Sequence, residues 1–96
     1  MRWQVRERKG VRKVLESAPQ AIRDNYDLWV QTIMGQGPAK LHAVPGFKDK
    51  ALKGELRGLR ESRLSGRYRI LYAVLDEILI VEAIEVSPDH TFRYRK

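Results

Sequence analysis

The sequence predicts an α+β fold in which two helices pack on one face of a small twisted sheet. Three observations carry this. Apolar residues in the first third recur at helical spacing. Those of the last third form runs of strand length. Between them, Gly35-Gln36-Gly37-Pro38 breaks any regular element. An N-terminal strand, a helical hairpin and a three-stranded antiparallel meander bury both apolar sets in one core. Ninety-six residues, 43% of them hydrophobic, make a single domain over residues 1–96.

Each element follows in order. Trp3-Gln4-Val5-Arg6 alternates and predicts a short first strand. Val11, Val14, Leu15 and Ala18 lie at helical spacing, and Pro19 stops that helix. A second helix starts around Pro19. Its stripe is Ile22, Tyr26, Trp29, Val30 and Ile33, a single apolar face that assigns both aromatics to packing. Residues 39–51 read as a loop with a Pro45-Gly46 turn. Glu55 to Leu64 reads as a strand, with Gly54 and Gly58 as bulge or bend points. After Ser65-Gly66-Arg67, Tyr68 to Leu75 is apolar on both parities, as a central strand covered on both faces requires; Arg69 is the exception. Asp76-Glu77 is a tight connection to the last strand, Ile78 to Val86, and residues 87–96 form a tail.

The net charge of +7 is unevenly spread. Phe47 to Tyr72 holds eight bases (Lys48, Lys50, Lys53, Arg57, Arg60, Arg63, Arg67, Arg69) against three acids. Residues 73–89 hold five acids and no base, and the last seven residues hold Arg93, Arg95 and Lys96. Cations fixed on a sheet suit a polyanion such as nucleic acid or an acidic protein segment. There is no cysteine, so disulfides and thiolate metal sites are excluded. The two histidines stand alone, with no HExxH motif and no tight Asp cluster, so no metal or other cofactor is expected. Residues 1–15 are basic without an apolar segment, and no apolar run approaches a membrane span. A cytoplasmic protein with no membrane partner is expected.

Leu52-Lys53-Gly54, then Gly58, Arg63 and Tyr68-Arg69-Ile70-Leu71-Tyr72, resembles the signature of the RelE/ParE superfamily of toxins from type II toxin–antitoxin modules. The YoeB and YafQ branches are the most similar in flavour, and the element order matches over the whole chain. The resemblance implies a small endoribonuclease that cleaves mRNA, often on the ribosome, and is silenced by a cognate antitoxin. It places Arg63 on the cleft side of its strand. It matches Arg69 to a shared arginine, His90 to a histidine after the last strand, and Tyr94 to an aromatic beyond it. Lys50 departs from members with Glu or His there and agrees with members that use lysine. ParE members share the fold and poison DNA gyrase without ribonuclease residues. A gyrase-directed poison, or an RNA-binding module without catalysis, is therefore the alternative.

The residues themselves fit RNA cleavage through the 2′-hydroxyl. That reaction needs a base for the 2′ proton, cations for the phosphorane, and an acid for the 5′-oxygen. Histidine is the side-chain type suited to proton transfer near neutral pH, so His90 is the acid or base, unless it is a surface residue beside Asp89. Lys50 is the other proton-transfer candidate, and the sequence does not assign the two roles. Arg63, on a polar strand, is the phosphate-binding candidate. Arg69 either faces a cleft or pairs with Glu82 or Glu85. Lys48, Lys53, Arg57, Arg60, Arg67 and Arg93 extend the cationic surface. Phe92 and Tyr94 either stack on bases or pin the tail to the core. His42 is assigned to a surface or structural role.

Overall fold

The computed structural model describes residues 2–96. Its elements are β1 (Gln4–Glu7), α1 (Val11–Glu16), α2 (Gln20–Gln36), β2 (Lys50–Ala51), β3 (Arg60–Ser65), β4 (Tyr68–Leu75) and β5 (Ile80–Ser87). The sheet order is β1-β5-β4-β3-β2. The β2-β3-β4-β5 pairs are antiparallel, whereas β1 lies parallel to β5. β4 occupies the centre, as its two apolar parities require, and spans the predicted residues.

Both helices cover one face. Val11 and Leu15 of α1 join Ile22, Tyr26, Trp29 and Ile33 of α2 against Ile70, Tyr72, Val81 and Ala83. Trp29 is fully buried. It lies parallel to Tyr26 (5.7 Å between centroids) and edge-on to Tyr72 (5.3 Å). Pro19 caps α2, and Gly37 closes it with a backbone bond to the Ile33 carbonyl. The opposite face, here called the distal face, has its own small core: Leu59, Leu71 and Ile84, covered by Leu52, Leu56, Phe92 and Tyr94. Among the described residues no helix is long and apolar enough to cross a membrane.

Two predicted elements shift. The Glu55–Leu64 strand begins only at Arg60, and a 3₁₀ turn occupies Gly54–Leu56. Gly54 (φ 66) and Gly58 (φ 97) take left-handed conformations that an extended strand does not contain. The last strand starts at Ile80, two residues late, because Asp76–Ile78 form a 3₁₀ turn and Leu79 is left-handed (φ 54). The 39–51 loop holds two 3₁₀ turns, Pro38–Ala43 and Pro45–Phe47, and ends in the short edge strand β2.

Candidate functional site

Strand register decides which cations meet. Residues directly opposite one another on antiparallel strands project from the same face. Arg63 on β3 is opposite Arg69 on β4, which is opposite Ser87 on β5. The next row holds Lys50, Glu61, Leu71 and Glu85. Leu71 belongs to the distal core, so Lys50, Arg63 and Arg69 all stand on the distal face. A bulge at Leu64 follows this pair, and Asn25 of α2 donates to the Leu64 carbonyl there.

The two guanidinium groups are poorly compensated. Arg63 Nε is buried and meets no hydrogen-bond partner among the described residues. Arg69 donates to the Gly66 carbonyl (2.8 Å), and its Nε lies 3.7 Å from Glu61. Glu61 is thus the pairing carboxylate, not Glu82 or Glu85. Burial, then the like charge of Arg63, lowers the Arg69 pKa from its ordinary value; Glu61 acts the other way. Two adjacent guanidinium groups beside a single carboxylate favour an anion between them.

Glu85 and Ser87 instead organise the tail. Ser87 is buried; its hydroxyl donates to Asp89 Oδ1 (2.8 Å) and accepts from the Asp89 and Thr91 N–H groups. The Ser87 hydroxyl, then the Thr91 N–H, lowers the Asp89 pKa. His90 sits exposed inside this turn with left-handed backbone (φ 56). The turn begins at the strand partner of Arg69, on the side of the sheet where the arginines stand. Glu85 accepts backbone N–H groups from Arg93 (3.0 Å) and Tyr94 (2.8 Å). The tail then crosses the distal face. Phe92 and Tyr94 pack into the distal core, and Arg8 stacks over the Tyr94 ring (5.2 Å). Both rings therefore pin the tail. Lys96 reaches the Arg57 carbonyl.

The remaining expected residues separate. Lys48, Lys53, Arg57, Arg67 and Arg93 are exposed, with Arg67 in the turn beside Arg69. Arg60 is the exception to the predicted cationic surface. It pairs with Tyr72 across the strands and faces the helices. There Asp49 holds it (2.9 and 2.7 Å) and His42 Nε2 accepts from it (2.7 Å). His42 is exposed and touches Arg60 on the helix-covered face. Asp49, Glu61 and Ser87 were not singled out from sequence, and Glu85, expected as a partner of Arg69, holds the tail instead. An acid inside a basic run, such as Asp49, is the sole signal the first two offered.

No protein-family model matches the sequence, and none of the curated proteins matches it. Solved structures do. The fold is that of the RelE/ParE superfamily toxins. The chain is similar to one from the RelE–RelB complex of Pyrococcus horikoshii, at 24% identity and TM-score 0.72, covering 92% of this chain and 96% of that one. A chain of the RelBE2 toxin–antitoxin complex of Mycobacterium tuberculosis is 25% identical, with TM-score 0.66 and coverage of 91% and 98%. The YoeB/ParE toxin of Agrobacterium tumefaciens is 15% identical, with TM-score 0.66 and coverage of 95% and 99%.

Proposed function

We propose that this protein is the toxin of a type II toxin–antitoxin module, and that it cleaves mRNA on the ribosome in the cytoplasm as an endoribonuclease. The observation that carries the reading is the Arg63–Arg69 pair, opposed on one face with Arg63 Nε unpartnered. A scissile phosphate between them receives charge-assisted hydrogen bonds on its non-bridging oxygens. Attack by the 2′-oxygen raises the charge on those oxygens in the phosphorane. The arginines therefore hold the transition state more tightly than the substrate. Lys50 and His90 divide the proton transfers, one taking the 2′ proton and the other supplying the 5′-oxygen leaving group. Tyr94 fixes the tail that carries His90. Lys48, Lys53, Arg57, Arg67 and Arg93 track the flanking phosphates. The chemistry calls for no metal or organic cofactor.

A cognate antitoxin is the expected protein partner. The structural neighbours from Pyrococcus and Mycobacterium come from toxin–antitoxin complexes, which supports this. The decisive assay offers a defined mRNA to the purified protein, with and without ribosomes, beside a gyrase supercoiling assay. Arg63→Ala should lower cleavage by roughly 10²–10³. Inhibition of gyrase with no RNA cleavage would assign the chain to the gyrase-directed branch instead.

A further inference from the structure

Lys50 occupies a strand of two residues. Two residues of pairing give too few ladder bonds to fix a register on their own. The preceding residue makes up the difference. The Asp49 side chain is fully buried, and it accepts from Arg60 (2.9 and 2.7 Å), from Ser62 Oγ (2.6 Å) and from the Tyr72 hydroxyl. Ser62 in turn accepts from Trp29 Nε1 (3.0 Å). The donors to Asp49 lie on β3 and β4, and Ser62 links them to α2 through Trp29, so one carboxylate ties the edge segment to two strands and, through Ser62, to the helix. Successive residues of a strand point to opposite faces. With Asp49 drawn toward the helices, Lys50 must stand on the distal face, opposite Glu61, the carboxylate that Arg69 Nε approaches at 3.7 Å. A slip of one residue would turn Lys50 away from the arginines.

We propose that Asp49 is a positioning residue: its buried hydrogen-bond set locks the register of β2 and so delivers the Lys50 ammonium to the anion site. The inference rests on the reading of that face as an RNA site. It adds to that reading a residue that never touches RNA. The lock is a carboxylate with donors on two strands, so Asn at this position retains size but loses the charge that holds Arg60.

The test uses the full chain and a 2′-deoxy oligonucleotide, which binds without being cleaved. Affinity is read by fluorescence anisotropy for wild type, Lys50→Ala, Asp49→Asn and the double variant. Amide hydrogen exchange is read in parallel. Lys50→Ala and Asp49→Asn should each weaken binding by about 3–10-fold, and the double variant should be no weaker than either alone. Exchange at Lys50 and Ala51 should rise about tenfold or more in Asp49→Asn, while β4 and β5 stay protected. Should Asp49→Asn not fold, Asp49→Asn with Arg60→Gln removes both charges and takes its place. Multiplying effects, or exchange rising evenly over the sheet, would make Asp49 a stabilising residue only and overturn the proposal. So would wild-type binding by Asp49→Asn beside a weakened Lys50→Ala. If Lys50→Ala alone binds as wild type, the assignment of Lys50 to the RNA site fails, and the positioning role fails with it.

Discussion

His90 is held in a left-handed backbone conformation that costs a non-glycine residue about 1 kcal/mol. The surrounding turn sustains it through Ser87, Asp89 and Thr91. Glycine at this position should keep the turn and relieve the strain while removing the imidazole. His90→Gly should therefore melt at or slightly above the wild-type temperature, yet cleave RNA roughly 10²–10⁴ more slowly. A folded His90→Gly that cleaves at the wild-type rate would remove His90 from the chemistry. Two buried phenols predict a different pH response. Burial, then the hydrogen bond to Glu7, holds the Tyr26 pKa well above the usual tyrosine range. Burial, then Asp49, does the same for Tyr72. Both pKa values are higher in the folded state than the roughly 10 of an unfolded tyrosine. Their stabilising contribution is complete below about pH 10 and is lost as the pH rises beyond it. Thermal melts should hold level to about pH 9 on this account and fall above about pH 10. Tyr26→Phe should flatten that fall. An equal slope in the variant would show that other groups set the alkaline limit.

At the scale of elements, burial and hydrogen bonding separate what the sequence showed from what it hid. The α2 stripe was legible because periodicity reports burial directly: Ile22, Tyr26, Trp29 and Ile33 are all core residues. Trp29→Ala removes two aromatic contacts and the bond to Ser62, so it should destabilise the fold by roughly 3–5 kcal/mol in denaturant titrations. A loss under about 1 kcal/mol would contradict its place in the core. β4 was legible for the same reason, since both its faces are covered. The segment between Phe47 and Arg60 was not. Its form depends on two left-handed glycines and on one carboxylate meeting donors from distant strands. Neither leaves a periodic trace. The turn at Ser65-Gly66-Arg67, which sets Arg63 opposite Arg69, was legible in the sequence. Their counter-ion was not, because Glu82 turns to Arg6 and Arg8 and Glu85 turns to the tail backbone. The tail depends on that turn. Glu85→Ala should raise amide exchange at Arg93 and Tyr94 by about tenfold while β3 and β4 remain protected.

For the molecule as a whole, the segment Phe47 to Tyr72 that carries most of the site holds eight bases against three acids, while the acids of residues 73–89 are largely spent on internal contacts. An antitoxin that covers the distal face should bring acidic residues to it. Association with that antitoxin should then be fast and should slow steeply with added salt. An association rate unchanged between low and high salt would point to an apolar interface instead. The parallel pairing of β1 with β5 has a temporal consequence as well. In a nascent chain Gln4 has no strand to join until Ile80 has been made, and every contact of β1 with the sheet waits for that moment. The helical hairpin can form earlier, but its apolar face has no complete floor to settle on. Closure of the sheet is therefore a late, long-range event, and the Arg63–Arg69 pair can exist on the emerging β3–β4 hairpin before the tail is in place. On the proposed reading, the chain passes during its own synthesis through a stage in which the arginine pair exists without His90.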